Sequence, residues 1–322
     1  MKNSIDLFKN LRVKLEDAVK RNLGEAILLS GGLDTSILAK IASKYVSLSA
    51  FTGAIENVDA PDVRYAKLVA NRLGLKHTIC YFDEKEVYDA IPFVVETLGS
   101  FDPSQIRGGV TTYICLKLMR EQGIDVFITG DGGDELFAGY PHLLTLNKEQ
   151  LDLELKNFFS LMDVIKFTSA ELGEALDMKA NLPYLDPEFK SFAVQIDPEF
   201  KVRNEKGTIW GKWILRKAFE GILPDEIIWR MKMPIELGSG SAILIYMLNS
   251  AISDTEFNEK RQRYLAEDRV ILRSKEHLFY YEIYRSTIGV PRPSNEGKVC
   301  SYCNSNLDAW SSYCRTCGSF NP

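Results

Sequence analysis

No stretch of the sequence is apolar over a length that would cross a membrane, and the first residues, Met-Lys-Asn-Ser-Ile-Asp, lack the apolar core of a secretory signal peptide. Neither sign of charge is in large excess, because the formal net charge is −5 over 322 residues. That balance argues against a broad basic face for nucleic acid and leaves room only for a local basic patch. Cysteine is rare before residue 300. The two cysteines of that part of the chain, Cys80 and Cys115, are expected to be small buried hydrophobic residues. The sequence therefore predicts a cytoplasmic protein with no membrane partner.

The remaining cysteines lie near the C-terminus as two Cys-x-x-Cys pairs that are ten residues apart. They are Cys300, Cys303, Cys314 and Cys317. Paired turns of this kind place four thiolates around one tetrahedral ion, and in a cytosolic chain a structural Zn²⁺ is favoured over two disulfides. Residues 299–322 resemble a small zinc ribbon, and the proline-rich segment 290–298 is predicted to be the linker that leads to it.

The first motif of the chain follows a short apolar run, Ala26–Leu29, which suits a buried central strand. The run leads into Ser30-Gly31-Gly32 and then into a helix predicted over Leu33–Tyr45. Glycines let backbone N–H groups approach an anion, and the helix N-terminus adds the positive end of its dipole. The hydroxyl donors of this loop are Ser30, Thr35 and Ser36. The order strand, glycine turn, helix predicts a phosphate-binding loop, which is not a Walker A loop because no Gly-Lys-[Ser/Thr] ending follows.

Two acidic residues accompany the phosphate loop. Asp34 lies among the donors, where a bare carboxylate would repel phosphate unless a divalent metal ion bridges the two. A predicted strand, Asp125–Thr129, runs directly into Gly130-Asp131-Gly132-Gly133-Asp134. These features predict a Mg²⁺ ion that Asp34 and Asp134 share with the phosphates. The alternatives are an ordinary helix start with a first-turn acid and an acidic surface turn.

Strands and helices alternate through the first half of the chain. The predicted strands are Ala26–Leu29, Ser47–Ala54, Lys76–Phe82 and Asp125–Thr129. The predicted helices are Ile5–Leu23, Leu33–Tyr45, Pro61–Leu73, Lys85–Leu98 and Val110–Gln122. The alternation predicts an α/β fold, a twisted parallel sheet with helices on both faces and a ligand at the carboxyl ends of the strands.

The second half is predicted to be mainly helical. Its predicted helices are Leu151–Leu161, Ser169–Met178 and Trp210–Glu220. The predicted division of the chain is an N-terminal helix (1–23), an α/β core (24–150), a helical part (151–289), the linker (290–298) and the ribbon (299–322).

Several motifs resemble one known family. Ser-Gly-Gly-x-Asp-[Ser/Thr]-Ser after a buried strand resembles the pyrophosphate-binding loop of the ATP pyrophosphatase (PP-loop) superfamily, which has a HUP-like fold and cleaves ATP to AMP and pyrophosphate. Gly-Asp-Gly-Gly-Asp-Glu-Leu-Phe-Ala-Gly-Tyr, residues 130–140, resembles a segment of the synthetase domain of asparagine synthetase. Weaker similarity follows the same order at Asp102–Arg107, Leu182–Asp186, Trp213–Phe219 and Trp229–Lys232. The resemblance implies an AMP-forming amide ligase that uses ATP, Mg²⁺, aspartate and ammonia.

The resemblance also implies roles for individual residues. Those expected to hold the pyrophosphate and its Mg²⁺ are Ser30, Gly31, Gly32, Asp34, Thr35, Ser36 and Asp134. Those expected beside the adenosine are Leu28, Thr52, Thr129 and Gly130. Those expected to act on the substrates are Asp131 as the base for the amine, Lys232 as the cation that neutralises phosphate charge and Arg107 as the partner of a carboxylate. Residues Ile235–Gly240 resemble a flexible segment that closes over the phosphates.

Three departures from the family pattern alter these expectations. No cysteine precedes Cys80, so the glutaminase half of the family is expected to be missing and nitrogen to come from free ammonia or a separate glutaminase. Asp131 stands where the family has glutamate, a side chain one methylene longer. Lys179-Ala180-Asn181 replaces Glu-Val-Arg, which changes the expected acceptor pocket.

Two other functions stay open at this point. One is a PP-loop enzyme that adenylates a tRNA base or another macromolecule, with the ribbon binding the RNA or protein partner. The other is a nucleotide-binding or assembly protein without turnover, against which the intact pair Asp34 and Asp134 argues. Lys232 has its own alternative, a solvated surface lysine.

Overall fold

The computed structural model describes residues 2–162, 165–293, 297–307 and 312–320. The strands of these residues are β1 (Ala26–Leu28), β2 (Ser49–Ile55), β3 (Lys76–Phe82), β4 (Val126–Ile128), β5 (Lys179–Asn181), β6 (Arg203–Glu205) and β7 (Thr208–Trp210). Within the described residues, the first five strands form one parallel sheet in the order β3-β2-β1-β4-β5. Strands β6 and β7 form a separate antiparallel hairpin.

Helices fill most of the rest of the described chain. They are α1 (Lys2–Arg21), α2 (Leu33–Ala42), α3 (Pro61–Leu73), α4 (Glu84–Leu98), α5 (Pro103–Glu121), α6 (Gly133–Phe137), α7 (Lys148–Leu161), α8 (Thr168–Ala175), α9 (Pro187–Val194), α10 (Pro198–Lys201), α11 (Trp213–Phe219), α12 (Asp225–Ile228), α13 (Ile235–Gly238), α14 (Leu244–Ala251), α15 (Asp254–Asp268) and α16 (Lys275–Thr287). Among the helices that the structure describes, none is both long enough and apolar enough to cross a membrane.

The sheet has an apolar core on each face. Successive residues of a strand point to opposite faces, so that Ala50 packs with residues of α1, α2 and α3 while its neighbour Phe51 packs with residues of α4, α5 and α16. This arrangement confirms the predicted α/β fold, with a parallel sheet between two layers of helices.

The strand order reverses beside β1. Strand β2 follows β1 along the chain and pairs with one of its edges, whereas β4 pairs with the other. In open parallel sheets such a reversal leaves a crevice at the carboxyl ends of the two strands. The loop after β1 and the segment after β4 therefore meet at one place.

One predicted helix, Trp210–Glu220, is wrong in its first turn. Trp210 ends the hairpin strand β7, and helix α11 begins only at Trp213. Lys212 lies between them in the left-handed region, with φ 54°, so the helix cannot extend back through it.

The start of α5 also differs from its prediction. The helix was expected from Val110 but begins at Pro103, where the side chain of Asp102 caps the first turn. The glycine pair 108–109 lowers the helix propensity of that turn, which is why the sequence pattern misplaces the start.

Strand β5 was not predicted at all. Its three residues, Lys179–Asn181, are too few to show alternation. The helix predicted before it over Ser169–Met178 ends at Ala175, and the one predicted over Leu33–Tyr45 ends at Ala42.

The C-terminal segment packs directly on the core. Its four cysteines are buried in the same apolar cluster as α4, α5 and α16, and the backbone N–H of Phe101 donates to the carbonyl of Thr316 over 2.7 Å. The segment after the predicted linker is therefore in direct contact with the α/β core. Residues 294–296 of that linker, and 308–311 and 321–322 of the ribbon, lie outside the described residues.

Candidate active site

A cavity of about 340 Å³ opens at the carboxyl ends of β1, β2 and β4. The predicted site residues that line it are Leu28, Ser30, Asp34, Thr35, Thr52, Thr129, Gly130, Asp131, Asp134 and Lys232. A smaller cavity of about 130 Å³ lies beside it, with Gly32 in its wall, and shares Ser30, Asp34 and Lys232 with it. The structure thus brings most of the predicted residues together.

Gly31 and Ser36 do not line either cavity, contrary to their predicted contact with pyrophosphate. Gly31 has φ +65°, and a Cβ atom there would lie 2.4 Å from the backbone of Tyr65 and Ala66. Its role is to let the loop pack against α3, which only glycine allows. The Ser36 side chain is fully buried, and its Oγ atom has no hydrogen-bond partner among the described residues.

The two acidic residues meet as predicted, with a lysine between them. The Nζ atom of Lys212 donates to Asp34 and lies 2.6 Å from Oδ1 of Asp134. The Nζ atom of Lys232 donates to the other oxygen of Asp134 over 2.9 Å. The Lys212 side chain is 4% exposed and that of Lys232 is 35% exposed, so the first is buried within the site and the second faces the cavity.

Gly139 makes room for this cluster. A Cβ atom at that position would lie 1.8 Å from Oδ1 of Asp134 and 2.3 Å from Cε of Lys212. Because real Cβ atoms do not approach other atoms so closely, any larger residue at 139 would displace the acid and the lysine together.

The surroundings of these groups shift their pKa values. Burial alone would raise the pKa of Asp134, but the charges of Lys212 and Lys232 outweigh it and hold the pKa below the usual range for a carboxyl group. Burial raises the pKa of Asp131, which accepts hydrogen bonds from Thr129, over 3.0 Å, and from Ser169. Asp134 is therefore the more acidic of the two carboxyl groups, and Asp131 is the more basic one.

Lys212 was missed by sequence reasoning. Its backbone N–H donates to the carbonyl of Phe137 over 2.8 Å, and a Cβ atom at Gly211 would lie 2.2 Å from the carbonyl of Ala138. This turn therefore rests against the end of α6 and directs Lys212 to Asp34. The signal in the sequence is the Gly-Lys pair before Trp-Ile-Leu-Arg, which the incorrect helix over Trp210–Glu220 concealed.

Arg230 was also missed as a site residue. It donates to the carbonyl of Ser30 over 2.9 Å and forms a buried ion pair with Asp62 at 2.5 Å. Its guanidinium lies 4.0 Å from the ring centroid of Tyr65. Arg230 thereby ties the loop after β1 to the start of α3, where Asp62 and Tyr65 lie.

The donor set fits Mg²⁺. Oδ1 of Asp34 is buried and has no hydrogen-bond partner among the described residues, so it retains its capacity to bind a cation. Oxygen atoms of one or two carboxylates together with substrate phosphates are the usual ligands of Mg²⁺. Asp34 and Asp134 are the residues that would hold it.

Arg107 is not in the cavity wall, which corrects its predicted role. Its Nη1 atom donates to both carboxylate oxygens of Glu276, over 2.9 and 2.8 Å. The two side chains are 12% and 5% exposed, so the pair is buried between α5 and α16. Residues 179–181 do not line the cavity either, because they form the edge strand β5, and the Asn181 amide donates to the carbonyl of Leu23.

We expect Arg107→Ala to lower the free energy of unfolding by about 3–5 kcal/mol, because it leaves the Glu276 carboxylate buried without its partner. Denaturant unfolding followed by fluorescence measures the change. Arg107→Ala combined with Glu276→Gln should recover a large part of the loss. If Arg107→Ala is as stable as the parent protein and has a raised KM for the acid substrate, Arg107 binds the substrate instead.

The fold and the site define an α/β nucleotide-binding protein of the phosphate-loop type, with an acidic and lysine-rich centre at the strand reversal. An asparagine synthase family model matches residues 10–171 and 159–289. The chain belongs to the asparagine synthase family.

Individual relatives agree with the family model. The chain is 33% identical over 254 residues to asparagine synthetase [glutamine-hydrolyzing] of Sandersonia aurantiaca, which covers 71% of this chain and 47% of the relative. It is 29% identical over 332 residues to asparagine synthetase B of Escherichia coli K12, which covers 94% and 58%. The chain spans about half the length of the curated relatives it matches. Among solved structures, it is similar to NMN synthetase of Francisella tularensis, with a TM-score of 0.40, 14% identity and coverage of 91% and 99%.

Proposed function

We propose that the chain is an ATP-dependent, AMP-forming amide ligase that adenylates a carboxylate and transfers the acyl group to ammonia, with aspartate as the acid. The observation that carries the proposal is the cluster of Asp34, Asp134, Lys212 and Lys232 beside a cavity at the strand reversal. It provides both the anionic ligands for a metal and the cations for a leaving pyrophosphate. Family membership and the similarity to asparagine synthetases support the same chemistry.

The first step joins the acid to AMP. A carboxylate oxygen attacks the α-phosphorus of ATP, the bond from that phosphorus to the β-phosphate bridging oxygen breaks, and pyrophosphate leaves with the electron pair. Lys212 and Lys232 neutralise the negative charge that develops on the pyrophosphate. When bound at Asp34 and Asp134, Mg²⁺ supplies further positive charge to the phosphate oxygens.

The second step forms the amide. Ammonia attacks the carbonyl carbon, the carbon–oxygen bond to the adenylate breaks, and AMP leaves with that oxygen. Asp131 lines the cavity, and because its pKa is raised it accepts the proton that the attacking ammonia releases. Its two hydroxyl donors, Thr129 and Ser169, fix the carboxylate in place.

The part of the cavity wall that we assign to the acid substrate, here called the acceptor side, consists of polar, uncharged residues. These residues are Ser104, Gln105, Thr112, Thr168 and Ser169. Among the described residues, Lys232 is the one cation that lines the larger cavity, and no arginine does. Because recognition of a free dicarboxylic amino acid usually relies on an arginine, we expect a KM for aspartate above the usual range of roughly 1 μM to 1 mM.

The test is a screen of AMP and pyrophosphate release from ATP, Mg²⁺ and ammonium chloride with each amino acid in turn. We expect AMP and pyrophosphate in equal amounts with aspartate at millimolar concentration, and asparagine as the product. Asp131→Asn should lower kcat while ATP binding persists. ADP as the product would contradict the proposal. No turnover with any amino acid, but AMP formation when total RNA is added, would favour the macromolecule-modifying enzyme.

A further inference from the structure

The last part of the chain brings four thiols to one point. The Sγ atoms of Cys300, Cys303, Cys314 and Cys317 all lie within 4.8 Å of one another, and all four residues are buried. The Sγ atoms of Cys300 and Cys317 are 3.7 Å apart and those of Cys303 and Cys314 are 3.6 Å apart, far beyond a disulfide bond of about 2.05 Å. Tetrahedral Zn²⁺ with Zn–S bonds of about 2.3 Å places its sulfur atoms roughly 3.8 Å apart. The cluster thus has the dimensions of a zinc site.

The two turns that carry the cysteines repeat the same geometry. Asn304 and Gly318 occupy equivalent positions, with φ 64° and 70°. Their backbone N–H groups donate to the carbonyls of Cys300 and Cys314, over 3.0 and 2.7 Å. Paired turns of this kind are the frame of four-cysteine structural zinc sites.

One of these turns is attached to the start of α5. The carbonyl of Thr316 accepts from the backbone of Phe101, and the carbonyl of Arg315 accepts from the Ser100 hydroxyl over 2.7 Å. The hydroxyl of Tyr313 donates to Asp102. A Cβ atom at Gly318 would lie 2.2 Å from Oδ1 of Asp102, so only glycine lets the turn pack this closely.

Asp102 links the turn to the helix, because it is the N-cap of α5 and accepts from the backbone N–H of Ser104 over 3.1 Å. From Ser104 onward the first turns of α5 form part of the cavity wall. The wall residues from α5 are Ser104, Gln105, Gly108, Gly109, Thr111, Thr112 and Cys115. The ribbon and the acceptor side of the cavity are therefore connected through one capping residue.

The opposite side of the cysteine cluster is held by the segment before α16. Arg273 donates to the carbonyls of Gly318, over 2.9 Å, and of Cys317. The backbone N–H of Ile271 donates to the carbonyl of Tyr302 over 2.7 Å. The ribbon is thus attached to the core on both sides, and Asp102 lies in one of the two contacts.

We propose that the four cysteines bind one Zn²⁺ ion and that this zinc site positions the N-terminal turns of α5, and through them the acceptor wall of the active site. Displacements of about 1 Å in a positioning element can cost on the order of 10²-fold in rate. The effect on catalysis rests on the proposed function, whereas the zinc site and its effect on α5 do not.

Two variants and one control test the proposal. Cys303→Ser with Cys314→Ser removes two metal ligands, and Tyr313→Phe removes only the hydroxyl that donates to Asp102. Tyr81→Phe is the matched control, because it removes a hydroxyl from an exposed tyrosine on β3. The measurements are zinc per chain, hydrogen–deuterium exchange of residues 103–109, and KM for the acid and for ATP.

We expect one zinc per chain in the parent protein and in both tyrosine variants. In Tyr313→Phe, exchange over residues 103–109 should rise at least tenfold and KM for the acid at least tenfold, with KM for ATP within twofold. Parent protein without stoichiometric zinc after growth in zinc-replete medium would overturn the metal site, and unchanged exchange in Tyr313→Phe would overturn the positioning role. Hydrogen–deuterium exchange needs no substrate, so it tests the positioning role even if the protein forms no AMP. If the cysteine variant does not fold, Tyr313→Phe alone tests that role.

Discussion

Asp134→Asn should abolish AMP formation while the protein stays folded. The substitution keeps the shape of the side chain but removes the charge that faces Lys212 and Lys232 and one of the two carboxylates that would hold Mg²⁺. We expect a loss on the order of 10³-fold or more in kcat, and the same for Asp34→Asn. Pyrophosphate release in a coupled assay measures it.

A surface acid provides the control for this pair. Asp89→Asn removes a carboxylate from an exposed ion pair with Lys85 on α4, and activity should not change. Circular dichroism should agree between the parent protein and the two site variants, and both variants should unfold cooperatively, which shows that each of them folds. AMP formation at near-normal rates by Asp134→Asn or Asp34→Asn would contradict the proposal that these two residues hold Mg²⁺.

Lys212→Met should lower kcat by about 10²- to 10³-fold, the usual cost of removing one group that stabilises charge in a transition state. The substitution should also lower the stability of the protein in the absence of nucleotide. Asp34 and Asp134 then face each other without the ammonium group of Lys212 between them. We expect the free energy of unfolding to fall by about 3 kcal/mol in EDTA. Mg²⁺ alone should restore a large part of that loss, since a cation can take the place of the lysine.

Lys217→Met is the control for Lys212→Met, because Lys217 lies on α11, which begins directly after Lys212, and pairs with the exposed acid Glu220. Its unfolding should show no dependence on Mg²⁺. Thermal unfolding with and without Mg²⁺ decides the point. An equal response to Mg²⁺ in Lys212→Met and in the parent protein would mean that the lysine does not occupy the cation position between the acids.

The core of the site was predictable because its signals are local. A short apolar run followed by Ser30-Gly31-Gly32 predicts a strand and a phosphate loop. The strand predicted over Asp125–Thr129 runs into an acidic, glycine-rich segment that contains Asp134. Alternation of strands and helices then places both loops at one edge of a parallel sheet, where Asp34 and Asp134 meet.

The missed residues depend on contacts between distant parts of the chain. Lys212 reaches the site because the turn that holds it rests against the end of α6, and Arg230 reaches Ser30 from a segment 200 residues away in sequence. Arg107 shows the converse error, because an arginine in a family-like segment has its own buried partner, Glu276, far along the chain. A pattern within one segment cannot show which distant side chain completes an ion pair.

The ribbon illustrates a further limit. Its four cysteines predict a metal site from spacing alone, but neither they nor the proline-rich linker before them indicate that this segment packs directly on the core. The contacts of Phe101 and Asp102 with the ribbon involve backbone carbonyls and a tyrosine hydroxyl, groups whose pairing leaves no periodic signal in the sequence.

The most direct test of the account is the fate of one oxygen atom. The acid that supports turnover is labelled with ¹⁸O in its carboxylate and incubated with ATP, Mg²⁺, ammonium and the protein, and the AMP is analysed by mass spectrometry. Adenylation by attack of the carboxylate on the α-phosphorus predicts AMP that carries one ¹⁸O atom for each amide formed, and none in the pyrophosphate. Unlabelled AMP, or label in inorganic phosphate with ADP as the nucleotide product, would contradict the central claim.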